Sequence, residues 1–185
     1  MVETLAMAGI NDIHVGLGHA GVCQRLFERL ALEPQTEAEL FGILQRKSIP
    51  DFAAFCDACS MDDDNRACLG ALLDLHGSAD VLEQARERLP ATDEGINEAL
   101  DALAEVVREL SQNCPQLVLH VDLAELQGYR YHTGIVFSAF ASGHGGELAR
   151  GGRYDGAGRE FGLARPATGF SADLNQLLHL GETLA

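Results

Sequence analysis

The apolar positions divide the chain into three zones of different period. Near the start, Ile13, Val15 and Leu17 alternate with His14 and Gly16, which predicts a short strand. Gly18 and His19 are expected to break it and open a helix, with His19 as a local cap. Ahead of the strand, VETLAMAG reads as the end of a helix whose apolar face begins almost at the first residue. From 20 to 112 the period is helical. Val22, Cys23, Leu26, Phe27 and Leu30 share one face, and Leu40, Phe41, Ile43 and Leu44 share the next, before Pro50. Phe52 with Phe55 marks a third helix, and Leu69, Leu72, Leu73 and Leu75 a fourth. Asp80 and Glu83 have the spacing of a capping box for a helix ending near Pro90. The clearest helix spans 94–111, where Ile96, Leu100, Leu103, Val107 and Leu110 recur at 3.6-residue spacing. The charge run MDDDNR at 61–66 reads as a solvated turn.

After Pro115 the period falls to two. Leu117, Leu119, Val121 and Leu123 alternate with Val118, His120 and Asp122, and a second alternation runs from Tyr129 to Ala141. It places Tyr131, Thr133, Ile135 and Phe137 on one face and Arg130, His132, Gly134 and Val136 on the other. The glycine-rich SGHGG at 142–146 predicts a reversal into an antiparallel partner. A helix over 171–180 closes the chain, with Ser171 as N-cap and Asp173 also at the helix start. The predicted class is therefore α+β, with a sheet core built from 1–20 and 113–185 around a helical block at 21–112.

Composition narrows the function. A net charge of −15 argues against a nucleic-acid grip, which needs clustered Lys and Arg; the four arginines within 150–165 are interleaved with Gly, Asp and Glu. No apolar run reaches the ~20 residues of a membrane span, and no basic segment followed by an apolar stretch opens the chain as in a signal peptide. Five cysteines, an odd number, lead us to expect reduced thiols and a cytoplasmic location. CDAC at 56–59 lacks a second ligand pair at short spacing, and with Phe52 and Phe55 it repeats at helical period. It therefore reads as core, and no metal site is expected.

Candidate chemistry concentrates in the last third. In RGGRYDG (150–156) two glycines permit close backbone approach, and Arg153, Tyr154 and Asp155 supply a fixed cation, an aromatic hydroxyl and a carboxylate. That set can answer the ammonium, carboxylate and side chain of an amino acid. The same residues also suit a tight turn with a surface ion pair worth under ~1 kcal/mol, and the residues by themselves leave both open.

Three segments in order, LQGYRYHTGIVF, GGRYDG and PATGFSADLNQL, resemble the C-terminal part of the histidyl-tRNA synthetase catalytic domain. There they stand as two histidine-binding signatures and the third class II synthetase motif. The likeness covers 115–180 and extends weakly to GINDIHVGLGHAGV, the strand and helix start that come after the second class II motif. It implies a partial class II aminoacyl-tRNA synthetase-like antiparallel/mixed sheet with the helical block in the place of an insertion. The first and second class II motifs are missing, so the chain is expected to be roughly the C-terminal half of a longer protein.

The departures matter as much as the matches. Gln127 stands where the synthetase has an arginine that stabilises charge during adenylate formation, and Gln176 where an arginine grips ATP phosphates. Arg130 replaces an acidic residue and His132 a substrate-facing tyrosine. Losing one preorganised donor at a charge-developing centre costs about 10²–10³ in rate, and an amide cannot fork onto phosphate as a guanidinium does. The pattern is closer to a paralogous family, the regulatory subunits of ATP phosphoribosyltransferase. The resemblance implies a non-catalytic subunit in histidine biosynthesis that senses histidine, regulates a short catalytic subunit and self-associates within a hetero-oligomer. It implies no cofactor. The alternative is a divergent histidyl-tRNA synthetase. By position, the residues implied for a histidine ligand are Gln127, Tyr131, His132, Arg153 and Tyr154.

Overall fold

The computed structural model describes residues 1–125, 128, 131–156, 162 and 164–184. In chain order the elements are α1 (Val2–Met7), β1 (Ile13–His19), α2 (Ala20–Leu30), α3 (Pro34–Gln45), α4 (Ile49–Ala58), α5 (Asp63–Asp74) and β2 (His76–Gly77). They continue with α6 (Val81–Arg88), α7 (Glu94–Asn113), β3 (Val118–Asp122), β4 (Ile135–Ala141), β5 (Ala149–Tyr154), β6 (Ala167–Ala172) and α8 (Leu174–Leu184). The strands form one mixed sheet in the order β2-β3-β1-β4-β5-β6. β1 and β3 run parallel, and every other neighbouring pair is antiparallel. A parallel pair needs a long crossover, and the helices from α2 to α7 are that crossover.

The two faces of the sheet have opposite characters. Ile13, Val15 and Leu17 of β1 are buried with Val22 and Leu26 of α2 and with Leu100 and Leu103 of α7. The same core takes in Leu40, Leu44, Leu72 and Leu82, so helices and sheet share one apolar interior. The opposite face carries Gly16 and Gly18 of β1 beside Ser138 and Val136 of β4, which in turn face Arg150 and Gly152 of β5. This glycine-rich floor lies away from the helices.

Several local expectations change. β1 runs on through His19, whose Nδ1 then accepts the Gly21 N–H at 3.1 Å, so strand end and helix cap fall on one residue. β4 begins at Ile135 rather than at Tyr129, because the N–H groups of Tyr131 and His132 both turn back onto the Gly128 carbonyl. The charge run at 61–66 is a helix start, not a turn: the Asp62 carboxylate accepts from the Asn65 N–H at 2.9 Å and caps α5. Asp80 does not cap α6; it sits in the right-handed helical region and its carboxylate accepts instead from the Ser78 hydroxyl. Ser171 belongs to β6, and Asp173 caps α8 through the N–H groups of Asn175 and Gln176. The two-residue strand β2 lies within the helical block, where the helical period gave no sign of a strand.

Cys56 is core, as its spacing suggested, but Cys59 is exposed just past the end of α4; Cys23 donates from its buried thiol to the Leu123 carbonyl at 3.2 Å. Burial pushes the Cys23 thiol well above its ordinary pKa. No group of His, Cys, Asp and Glu among the described residues has a metal-binding arrangement. No helix among them is long and apolar enough to cross a membrane.

Candidate functional site

On the glycine-floored face, the turn ahead of β4 and the end of β5 meet. The aromatic rings of Tyr131 and Tyr154 stack at 5.0 Å with an interplanar angle of 30°, and His132 meets Tyr131 edge-on at 5.3 Å. These three rings, with Arg150, Gly169 and Ser171, line an open cleft of about 320 Å³. That is at the small end of ligand pockets and suits an amino acid.

His132 is held tightly. A Cβ added at Gly152 would lie 2.7 Å from its Nδ1, and one at Gly128 would lie 2.9 Å from its Cδ2. Gly128 also takes φ +69, where any other residue is strained. The His132 carbonyl accepts from Gln24 Nε2 of α2 at 2.9 Å. Its ring Nδ1 is buried and has no hydrogen-bond partner among the described residues. Burial lowers the imidazole pKa below its ordinary value, with a smaller opposing pull from the Arg153 backbone. A buried ring nitrogen without a partner costs free energy, and it stands at the wall of the cleft.

Of the residues implied for the ligand, Tyr131, His132 and Tyr154 come together. Arg153 does not join them. Neighbouring residues on a strand face opposite ways, and Arg153 lies on the helix side, donating from Nε to Asp155 at 3.0 Å. There it lines a separate hollow of about 370 Å³ with His19, Arg25 and Glu98. Burial, with Arg153 as a second cause, lowers the pKa of His19. Gln127 and Arg130 lie outside the described residues. Gln176 is absent from the cleft lining; its Nε2 lies 2.8 Å from His144 Nε2, over the loop joining β4 and β5. The cleft nevertheless holds a guanidinium, that of Arg150, which the sequence did not single out. Alternation could have found it, because Arg150 and Tyr154 share a parity along β5.

The family model described as histidyl-tRNA synthetase matches residues 1–177. The chain belongs to the histidyl-tRNA synthetase family. Among curated members, proteins named ATP phosphoribosyltransferase regulatory subunit are similar to it. The Methylococcus capsulatus protein is 45% identical over 97% of this chain and 44% of its own length. The Thioalkalivibrio sulfidiphilus protein is 45% identical over 100% of this chain and 47% of its own. The chain thus spans a little under half the length of these relatives. A crystal structure titled as an ATP phosphoribosyltransferase regulatory subunit/histidyl-tRNA synthetase, from Bacillus halodurans, superposes with a TM-score of 0.76 at 25% identity, over 97% of this chain and 47% of that one. The histidyl-tRNA synthetase family therefore accounts for the class II-type sheet; the described residues of the three segments read as its signatures lie at the approach to β4 and its start, on β5, and on β6 with α8.

Proposed function

We propose that the chain forms part of a non-catalytic regulatory subunit of ATP phosphoribosyltransferase, acting in the cytoplasm in histidine biosynthesis. The observation that carries this is the name shared by relatives 45% identical across nearly the whole chain. The geometry supports the ligand side: an amino-acid-sized cleft walled by Tyr131, His132 and Tyr154 suits histidine, whose imidazole packs against the tyrosine wall and bonds a neutral His132. The partner is the short catalytic subunit, whose phosphoribosyl transfer is a glycosyl transfer to which this chain lends no catalytic residue. The full-length protein self-associates within that hetero-oligomer.

Three measurements on the full-length protein test this. Calorimetry is expected to show histidine binding, and pull-down to retain the short catalytic subunit. Histidine-dependent ATP–pyrophosphate exchange is expected to be absent. Robust exchange would instead identify a working synthetase, and loss of both binding results would remove the regulatory role.

A further inference from the structure

Arg150 sits where β4, β5 and β6 lie side by side. The register sets it opposite Ser138 of β4 and Ser171 of β6, so a hydroxyl flanks it on each side. Ser138 is buried although polar. Arg150 lines the cleft of Tyr131, His132 and Tyr154, and also the smaller hollow beside it, which adds Glu125 and Glu147. His132 borders both. Among the described residues the Arg150 guanidinium bonds Glu147 through Nε, three residues away in sequence. A guanidinium has five donors in a fixed fork, so this contact leaves its terminal nitrogens for another acceptor. The pair is local in sequence and exposed on the arginine side, while the Glu147 side chain is only 17% exposed, so its release calls for another cation beside that carboxylate.

We propose that Arg150 is the anion-recognising residue of the cleft and takes the carboxylate of an amino-acid ligand, giving up Glu147 to do so. Glu147, once released, faces the ligand's ammonium. The ligand class is then a small zwitterion carrying an aromatic or imidazole side chain, its two charges met by Arg150 and Glu147 and its ring by Tyr131, His132 and Tyr154. Arg153 has no part in this, being on the other face with Asp155. The assignment presupposes that the cleft is a histidine pocket, and the test is arranged to separate the two.

Titration calorimetry on the full-length protein compares L-histidine with L-histidinol, which lacks the carboxylate. Arg150→Ala is expected to weaken histidine by about 10- to 100-fold, the loss of a charge-assisted hydrogen-bond pair, while histidinol affinity stays within about twofold. Arg150→Lys, which keeps the charge but not the fork, falls between and serves where the alanine variant fails to fold. Equal histidine binding by wild type and both variants overturns the assignment, as does an equal loss of histidine and histidinol, or an effect at Arg153→Ala in place of Arg150→Ala. Histidine binding absent from the wild type overturns the histidine pocket itself and the Arg150 assignment with it.

Discussion

His132 shows how one side chain is fixed by what its neighbours lack. Gly152 leaves room for the ring; an added Cβ would also meet the Ile135 carbonyl at 2.8 Å, and backbone there cannot step aside. Gly152→Ala is therefore expected to destabilise the fold by about 1–3 kcal/mol and to weaken histidine binding. Gly145→Ala, where a Cβ meets nothing within 4 Å, should change neither, as urea unfolding and calorimetry would show. The imidazoles of His19 and His132 also make stability depend on pH. Both have pKa values lowered from 6.5, with burial the leading cause. The unfolded chain therefore takes up protons first as pH falls below about 6.5, and unfolding becomes easier between there and the folded-state values. Urea midpoints measured from about pH 7.5 to pH 5 should fall, and His132→Gln should flatten the fall; an unchanged slope would contradict the burial. Tyr131, His132 and Tyr154 were legible in the sequence because their motif is distinctive. RGGR offers an arginine at either parity, and Arg150, which shares the parity of Tyr154 along β5, is the one that lines the cleft; the resemblance pointed to Arg153 instead.

Helix caps show the same limit one level up. Asp62, Asp93 and Asp173 each accept backbone N–H groups at a helix start, whereas Asp80 and Ser171, equally suitable by residue type, do not. A cap needs an extended backbone at its own position; Asp93 has it, and Asp80 lies in the helical region. Asp93 also accepts from Arg25 Nε at 3.2 Å, tying the start of α7 to α2. Asp93→Ala should cost about 1 kcal/mol and Asp80→Ala less than about 0.5 kcal/mol in chemical denaturation. Equal costs would mean that residue type alone sets capping strength. The long helix α7 was readable from its period, and β1, β3 and the body of β4 from theirs. The two residues of β2 are too few to carry a period of any kind, so that edge of the sheet became visible only with β3 in place beside it.

At the scale of the whole molecule, the helical block is the route by which β1 reaches its parallel neighbour β3. The fold class was legible because a change of period separates the block from the strands of the last third. The common interior was not, since a count of helices does not say which faces pack together. That interior predicts joint unfolding. The chain has no Trp, and its three tyrosines, Tyr129, Tyr131 and Tyr154, all lie in the strand-rich last third, so near-ultraviolet dichroism reports that part and far-ultraviolet dichroism mainly the helices. The two signals should melt at one midpoint; two transitions would show that sheet and helices hold together separately. Leu100→Ala, at a fully buried α7 position, should lower that shared midpoint at a cost of about 2–5 kcal/mol.

The division of labour between the faces of the sheet has an evolutionary consequence. Apolar burial is concentrated on the helix side, while the groups that would choose a ligand stand on a glycine pavement contributing little to it. Mutations in those walls can change what the face binds without eroding the scaffold, so relatives on this fold can diverge from one ancestor by exchanging a few side chains above an unchanged floor.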